Sequence, residues 1–309
     1  MCIMISVVVL SKNNGETLEG CLRSIVNANG DKEVIVVDAH STDETPKILG
    51  KYEDQIKVVY DKGKGIGIAR NLGVEASSGE IICFVDADAF VSKGHFTKIA
   101  KYLEENPEVG VLDVHGTSRL SKRPTYIERL GFICQSGMAK RQSGNYGYAG
   151  GYFISFRRKA FYDADGFWSF PPFSADDLDI TVKVVSKGWK KGHIKTEGWH
   201  QFRRTILGLL RERWGFGKGR SCFDKKYLND PVAGRFLSKR MVYRILGKYY
   251  WLGKELIRLF APVIALKYLP EWKSLRVYSY YIAREWIHIL GYMWGWLTWA
   301  RRMADDVEE

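Results

Sequence analysis

The chain has 309 residues, of which 46 % are apolar and 27 % charged, and these proportions are typical of a folded globular protein. They exclude wholesale disorder and low-complexity scaffolds. Charged residues interrupt every apolar stretch before it reaches the roughly 18–20 residues that span a bilayer, which excludes a polytopic membrane protein. The length allows one large domain, or one domain with a substantial appendage.

Positive charge is concentrated in the last third of the chain. The net charge of the whole chain is +12, whereas residues 201–309 alone carry 21 basic and 10 acidic side chains, a net charge of +11. Seven of the ten tryptophans also follow residue 200. We therefore expect a neutral domain followed by a basic, aromatic one that suits anionic lipid headgroups or phosphorylated substrates. Because no nucleic-acid-binding motif accompanies the charge, we expect no nucleic acid partner.

The five cysteines are odd in number, widely spaced and never in a CxxC pair. Cys21 and Cys83 fall inside apolar runs, which is typical of small core residues. This pattern differs from a secreted disulfide framework and favours a reducing compartment, the cytoplasm. The first residues, MCIMISVVVLSKNN, lack a basic region and a cleavage site, and therefore predict a first strand rather than a signal peptide.

Strands and helices alternate through the first 90 residues. Apolar, β-branched runs predict buried strands at 5–10, 34–37, 56–60 and 81–85, and helical spacing predicts helices at 16–27, 43–52 and 67–76. Ser41 or Thr42 is the predicted N-cap of the second helix. Because the strands are apolar almost without interruption, they predict an α/β fold with a mostly parallel central sheet that is covered on both faces.

The remainder of the chain is less regular. A glycine-rich loop at 144–151 precedes a predicted strand at 152–156, and an aromatic loop at 166–174 precedes a predicted helix at 176–187. After residue 200 helical patterns dominate, at 205–214, 239–260 and 277–302. We therefore expect a mainly helical C-terminal region.

Aspartates stand at the ends of two predicted strands. Asp38 ends the second strand, and Asp86 and Asp88 follow the fourth. In parallel sheets ligands bind beyond the carboxyl ends of the strands. Two carboxylates on one turn can converge on Mg²⁺ or Mn²⁺, which prefer oxygen ligands. The alternative is a solvated turn with two acids.

Two further groups of residues are candidates for a chemical role. Asp176, Asp177 and Asp179 open a predicted helix, either as acids favoured by the helix dipole or as a general base that deprotonates an acceptor hydroxyl. His200 is either structural or an imidazole ligand to the same metal.

The segment GKGIGIARN, residues 63–71, is glycine-rich without being a phosphate-binding P-loop, because no GK[ST] follows at the required spacing. The first strand–helix turn also lacks GxGxxG, which disfavours a dinucleotide-binding domain. These glycines allow the backbone to approach a phosphate or base, and Arg70 supplies positive charge. The alternative is a tight turn with a surface arginine.

In this order the segments resemble those of the family 2 glycosyltransferases of GT-A fold. The resemblance covers about residues 4–220, and although each motif is weak alone, their shared order is specific. The matching segments are 11–25, VVDAHSTD at 36–43, GIGIARNLG at 65–73, ASSGEIICFVDAD at 76–88, GGYFISFRR at 150–158 and DDLDI at 176–180.

The resemblance implies an inverting, metal-dependent transfer of a sugar from a UDP- or GDP-sugar to a hydroxyl or phosphate of a glycan or lipid-linked acceptor. Asp177 would be the catalytic base, with Asp176 and Trp168 on the acceptor side. The implied ligands of Mn²⁺ or Mg²⁺ are Asp86, Asp88 and His200. The implied donor-binding residues are Ser11, Asn13, Asp38, Arg70, Asp86, Gly150, Gly151, Arg213 and Trp214.

The resemblance also divides the chain. Residues 1–220 would form the GT-A catalytic domain, with a nucleotide-binding half at about 1–115 and an acceptor half at about 116–220, and residues 221–309 a basic, aromatic helical region. Three departures stand out: Ala39 replaces a second Asp, Asp176 replaces a Glu, and the QxxRW motif of processive synthases is split or absent. The last departure argues against a processive synthase.

The C-terminal region contains the longest uncharged run, WIHILGYMWGWLTWA at 286–300. It is short for a membrane span and rich in tryptophan, which favours peripheral contact with the cytoplasmic face of a membrane. The competing interpretation is an aromatic helix packed on the catalytic domain. Two other functions stay open: a non-catalytic nucleotide-sugar-binding protein, and a nucleotidyltransferase, which SKNNG after the first strand matches poorly.

Overall fold

A computed structural model describes residues 3–61, 63, 65–139, 152–168, 175–227, 230, 232–233, 253, 257–263 and 275–305, with side chains described at all of these except 118, 135–139, 275 and 299–305. The chain forms two compact units. The first comprises the described parts of 1–118, 148–172 and 176–201, and the second those of 119–147, 173–175 and 202–309. The predicted loop at 144–151 and most of the predicted helix at 239–260 lie outside the described residues.

The elements follow one another in chain order. They are β1 (Ile5–Ser11), α1 (Leu18–Val26), β2 (Lys32–Asp38), α2 (Thr45–Gly50), β3 (Lys57–Tyr60), α3 (Ile66–Glu75), β4 (Ile81–Asp86), β5 (Ala89–Phe90), α4 (His95–Glu105), β6 (Val109–Arg119), α5 (Tyr126–Ala139), β7 (Phe153–Arg157), α6 (Arg158–Asp163), α7 (Asp176–Ser186), β8 (Lys190–Gln201), α8 (Ile206–Lys226), a 3₁₀ turn (Ile257–Phe260) and α9 (Leu275–Asp305).

The described strands form one sheet in the order β3-β2-β1-β4-β7-β6-β8-β5. β3, β2, β1 and β4 are parallel, as the sequence predicts. β7 then enters antiparallel between β4 and β6, and the short β5 pairs antiparallel with β8. The carboxyl ends of β1, β2 and β4 therefore meet at one edge of the sheet.

Both faces of the sheet are covered, which explains the uninterrupted apolar strands. Along β1, Val7 and Val9 pack with α1, α2 and α4 on one face, while Val8 packs with α3, α6 and α7 on the other. Alternate side chains of a strand point to opposite faces, so a strand that is buried on both sides must be apolar at every position.

The first seven predicted elements agree with the structure to within two residues at each end. The predicted N-cap of α2 is wrong, because the helix begins at Thr45 after Glu44, and the Ser41 hydroxyl instead donates to Asp38. The elements that sequence analysis did not predict are β5, β6, β8, α4, α5 and α6.

In the second unit, α8 and α9 are packed closely through glycine. Built onto the backbone, a Cβ atom at Gly217 would collide with the carbonyl oxygen of His288, and one at Gly291 with that of Trp214. A Cβ at Gly295 would meet the Ser221 hydroxyl and the Lys218 backbone. Small residues of this kind allow two helix backbones to approach each other closely.

This packing predicts that alanine substitutions at two neighbouring glycines differ strongly in their effect on the stability of the protein. We expect Gly217→Ala to lower the free energy of unfolding by about 1–3 kcal/mol, because the rigid carbonyl of His288 cannot move aside as a side chain would. Gly215→Ala is the matched control, since a Cβ there meets no atom within 4 Å and alanine favours helix. Thermal unfolding of both variants measures the difference. Equal melting temperatures would show that the two helices are not packed through Gly217.

Among the described helices, none combines the length and the apolar character needed to cross a membrane. Cys21 and Cys83 are buried in the core without a disulfide bond, as their apolar surroundings predict, and among the other described cysteines Cys134 and Cys222 are also buried and form no disulfide.

Candidate active site

The loops that follow β1 and β2 are tied together at the carboxyl edge of the sheet. The backbone N–H groups of four consecutive residues donate to side chains: Lys12 to Asn14 Oδ1, Asn13 to Ser41 Oγ, Asn14 to Thr45 Oγ1 and Gly15 to Asp43 Oδ2, at 2.8–3.0 Å. The Thr42 N–H donates in return to Asn13 Oδ1 at 2.9 Å. Asn13 adopts a left-handed conformation, φ 52°, which asparagine tolerates better than most residues.

Asp38 and Ser11 lie beneath these loops. The two residues are register partners on β2 and β1, and Asp38 is 1 % exposed. Its carboxylate accepts hydrogen bonds from the Ser41 hydroxyl at 2.6 Å and from the Ser41 N–H at 2.9 Å. The buried Ser11 hydroxyl has no hydrogen-bond partner among the described residues. Asp38 thus shapes the edge, while Ser11 presents an unused polar group there.

Arg70 lies at the centre of a buried charge cluster. Its guanidinium lies 5.7 Å from the centre of the Phe84 ring and 5.0 Å from that of Phe167, and its Nη1 forms an ion pair with Asp176 Oδ2. Burial opposes its positive charge, but the negative charges of Asp176, Asp86 and Asp177 outweigh this and raise the pKa of Arg70. The arginine of α3 therefore interacts with carboxylates of both β4 and α7.

The segment that carries Phe167 is held against α3 by backbone contacts. The Asn71 side-chain amide donates to the Phe167 carbonyl and accepts from the Phe167 N–H, both at 2.9 Å. Gly67 allows close approach, because a Cβ there would collide with the carbonyl oxygen of Trp168. Trp168, predicted on the acceptor side, is thus fixed through its backbone beside α3.

Asp177 follows Asp176 in the first turn of α7. Burial, followed by the charge of Asp176, raises the pKa of Asp177 to about 7, although Arg70 and the Leu178 N–H favour the carboxylate. The Leu178 N–H donates to Asp177 Oδ1 at 2.8 Å. A carboxyl group with such a pKa takes up and releases a proton near neutral pH, as a general base must.

Asp86 is the last residue of β4, and Asp88 follows it two positions later. Asp88 Oδ1 lies 3.4 Å from His200 Nε2, at the point where β5 pairs with the end of β8. The His200 ring stacks on Tyr152 with ring centres 3.5 Å apart, and the Gln201 N–H donates to the Asp88 carbonyl at 3.1 Å. The β5–β8 pairing therefore brings together two of the predicted metal ligands, which are 112 positions apart in the chain.

The side chains of the predicted metal site fit a divalent cation in part. No group of three or more His, Cys, Asp or Glu side chains is arranged as a metal site within the described part of the chain. The 3.4 Å between Asp88 Oδ1 and His200 Nε2 is nevertheless the spacing of adjacent ligands that each lie about 2.0–2.2 Å from one ion. Carboxylate and imidazole together suit Mn²⁺, and the remaining coordination positions would be open to phosphate oxygens and water.

Four of the predicted donor-binding residues either belong to the second unit or lie outside the described residues. Gly150 and Gly151 lie outside the described residues. Arg213 and Trp214 belong to α8 in the second unit, where Arg213 lies 3.4 Å from Glu212 and where burial lowers its pKa to about 10.

Residues 6–164, just over half of the chain, match the sequence model of glycosyl transferase family 2. The chain belongs to this family. The resemblance carried by its motifs is thereby confirmed.

The curated relatives in this family are distant. The putative glycosyltransferase EpsH of Bacillus subtilis strain 168 is 34 % identical over 91 residues, which cover 28 % of this chain and 26 % of EpsH. The glycosyltransferase EpsJ of the same strain is 30 % identical over 134 residues, 41 % of this chain and 38 % of EpsJ. The poly(ribitol-phosphate) β-N-acetylglucosaminyltransferase TarP of Staphylococcus aureus strain N315 is 29 % identical over 125 residues, 37 % of this chain and 38 % of TarP. The chain thus spans about a quarter to two fifths of the length of these relatives.

Solved structures share the fold over most of the chain. The mannosyltransferase PcManGT from Pyrobaculum calidifontis, in complex with GDP-Man and Mn²⁺, has a TM-score of 0.61 at 18 % identity and covers 94 % of this chain and 88 % of its own. Residues 1–349 of S. aureus TarS in complex with UDP-GlcNAc have a TM-score of 0.55 at 18 % identity, with 97 % and 92 % coverage. The predicted GT-A fold with a helical C-terminal region is confirmed.

Several residues of this family member's site were missed by sequence analysis. Phe84 and Phe167 flank Arg70, Asn71 holds the Phe167 backbone, and Tyr152 stacks on His200. Asn71 directly follows Arg70 in a matched motif, which is a signal that was present in the sequence. The aromatic residues carry no such signal in the sequence. Phe84, for example, is indistinguishable from an ordinary core residue of a buried strand.

Proposed function

We propose that the chain is an inverting, metal-dependent glycosyltransferase that moves a sugar from a UDP- or GDP-sugar to a hydroxyl or phosphate of a glycan or lipid-linked acceptor. The observation that carries this proposal is the cluster of carboxylates around Arg70, together with the Asp88–His200 pair. Asp86, Asp176 and Asp177 all favour the charge of Arg70, whereas Asp88 is paired with His200. Single displacement needs a charged site for the leaving diphosphate and a separate base for the acceptor.

The base of this reaction is Asp177. Its raised pKa keeps a sizeable carboxylate fraction at neutral pH together with the ability to hold a proton. As the acceptor oxygen attacks the anomeric carbon, Asp177 takes its proton, and the bond to the diphosphate breaks on the opposite face of the sugar. The ion pair between Arg70 and Asp176 fixes the first turn of α7, so that the carboxylate is positioned before the acceptor arrives.

The negative charge that develops on the leaving diphosphate must also be stabilised. A divalent cation held by Asp88 and His200, with Asp86 beside them, would supply positive charge where the diphosphate leaves. Arg70 contributes a permanent positive charge from the chain itself. Ser11, Asn13 and Asp38 form the edge against which we place the nucleoside, and Arg213 and Trp214 remain candidates for the diphosphate.

The complexes of structural neighbours support the choice of donor and metal. PcManGT is described with GDP-Man and Mn²⁺ and TarS with UDP-GlcNAc, so both nucleotide classes stay within the proposal. We further propose that this chain acts at the cytoplasmic face of a membrane, which it contacts peripherally through residues 221–309. The charge and tryptophan content of that region support this.

Thermal unfolding across a panel of UDP-, GDP- and dTDP-sugars, with and without Mn²⁺, tests the proposal. We expect one nucleotide class to raise the melting temperature, and to do so only with metal, since a ligand that binds the folded state stabilises it. Release of the nucleoside diphosphate on addition of acceptor would then show transfer. A melting temperature that no donor changes would favour a degenerate site, and binding without transfer a non-catalytic member.

The pKa of Asp177 predicts the pH dependence of transfer. We expect kcat/KM to rise tenfold per pH unit below about pH 7 and to level off above it, because the active form of the base is the carboxylate. Arg70→Gln should move the inflection to higher pH, since the arginine favours the charged form of Asp177. A pH–rate profile of both proteins measures this. A profile that is flat from about pH 5 to 8 would remove Asp177 from the base role.

A further inference from the structure

One side of α9 exposes a continuous apolar stripe. Its five side chains are between 46 % and 71 % exposed, and their spacing along the helix is 4, 3, 1 and 3 residues. This spacing places them on one face of an α-helix. The α9 apolar face is formed by Trp286, Leu290, Met293, Trp294 and Leu297.

The opposite side of α9 is fixed against α8. Gly291 and Gly295 meet the α8 backbone there, and the Tyr292 hydroxyl donates to Asp224 at 3.1 Å. At about 100° per residue, Tyr292 and Gly295 lie about 140–160° around the helix from Leu290 and Leu297. Packing on α8 therefore orients the α9 apolar face outward within the second unit.

The size and composition of the face suit a lipid boundary. From Trp286 to Leu297 the stripe is about 16 Å long, at 1.5 Å per residue, and it covers one side of the helix only. Two of its five members are tryptophan, whose ring and N–H together favour the depth between headgroups and acyl chains. A one-sided apolar helix with tryptophan and leucine is the kind that lies in the plane of a bilayer surface.

The charge around the face indicates which lipid it meets. The exposed Arg276 precedes the stripe on α9, Lys225 and Lys226 end the neighbouring α8, and Arg301 and Arg302 follow the stripe in the sequence. The Lys225 ammonium lies 4.8 Å from the centre of the Trp296 ring. With a net charge of +11 over residues 201–309, the region complements an anionic surface.

We propose that the α9 apolar face binds the surface of an anionic phospholipid bilayer, with its tryptophans and leucines at the acyl boundary and the basic side chains among the headgroups. This attachment rests on the peripheral membrane contact proposed above for residues 221–309, and not on the proposed transferase activity. It assigns the membrane contact to five named side chains.

Flotation with vesicles tests the proposal on the full chain. We expect binding to vesicles of equal parts phosphatidylcholine and phosphatidylglycerol, weaker binding in high salt, and little binding to phosphatidylcholine alone. Leu290→Gln with Leu297→Gln should lower binding to the anionic vesicles at least about tenfold. The variant loses two exposed leucines that would enter the acyl boundary, while glutamine preserves the helix. The matched control is Ile206→Gln with Leu207→Gln, which removes two similarly exposed apolar residues from the first turn of α8.

The outcomes separate the possible occupants of the face. Loss of binding in the α9 variant with retention in the α8 variant supports the proposal. Equal vesicle binding by wild type and the α9 variant would overturn it, as would a wild-type protein that binds neither vesicle. A dimer in light scattering that the α9 variant alone disrupts, without vesicle binding, would assign the face to a second copy of the chain. Donor-induced stabilisation, measured without vesicles, reports separately on the transferase site.

Discussion

Asp177→Asn should reduce transfer by about 10²- to 10⁴-fold while leaving donor affinity within about twofold of wild type. Asparagine keeps the shape of the side chain, but it cannot accept the proton of the acceptor. The donor-binding side of the cluster is untouched, because Asp176 still pairs with Arg70. Turnover with saturating donor, together with donor-induced thermal shift, measures both quantities.

The same substitution should stabilise the protein. The pKa of Asp177 is raised from 3.8 to about 7 in the folded chain, which means that the folded state disfavours the carboxylate. The free energy of unfolding is therefore highest below the ordinary pKa of the group and falls as the pH rises through about 7. The neutral asparagine avoids this cost. We therefore expect a higher melting temperature than wild type at about pH 8, with a difference that shrinks toward pH 4.

A control distinguishes this effect from a general loss of charge. Asp54→Asn makes the same change at an exposed position outside the site and should alter neither turnover nor stability appreciably. If Asp177→Asn retained full turnover, another group would have to be the base. If it lost both turnover and donor binding, Asp177 would belong to the donor site instead.

Asp88→Asn should remove the metal-dependent part of donor binding, with a loss of affinity of at least about 10- to 100-fold in the presence of Mn²⁺. The amide lacks the negative charge that a divalent cation requires from its carboxylate ligand. Donor binding measured in chelator should change little. Titration calorimetry of donor into protein with Mn²⁺ and with chelator measures the two cases.

His200 provides an independent check on the same site. His200→Ala removes the other half of the pair, and it should weaken Mn²⁺-dependent donor binding in the same direction as Asp88→Asn. His193→Ala is the comparison, because that histidine also lies on β8 but contacts Asp113 at 3.1 Å. Mn²⁺-dependent binding that survives both Asp88→Asn and His200→Ala would place the metal elsewhere.

The parts of the fold that could be predicted are those governed by local pattern. Uninterrupted β-branched runs such as that of β1 indicate a strand buried on both faces, and their ends locate Asp38 and Asp86 at one edge. β6 and β8 were missed, because each mixes glycine, histidine and charged residues that become compatible with a strand only through their neighbours. Gly116 is an example: it is needed because the Gly198 carbonyl and the Phe153 ring press against it.

The charged residues of the candidate site could be named from the sequence, but its aromatic residues and its arrangement could not. The motifs named Arg70, Asp88 and Asp177 as residues with a role, whereas the pairing of Arg70 with Asp176 depends on where α7 packs. The resemblance also implied that Asp38 binds the donor, but the motifs do not reveal that Ser41 donates two hydrogen bonds to its carboxylate. Long-range packing decides such contacts, and a single sequence does not record it.

The tying of the β1 and β2 loops affects how the protein responds to its ligand. Because the backbone N–H groups of Lys12, Asn13, Asn14 and Gly15 are already bonded to side chains, this edge of the sheet has little conformational entropy left to lose. A nucleotide that meets it encounters a surface ordered during folding, and the cost of ordering was met then rather than on association. Discrimination between nucleotides at this edge should therefore depend on fit to a fixed shape, and variants that untie it, such as Ser41→Ala, should bind more weakly without losing their preference.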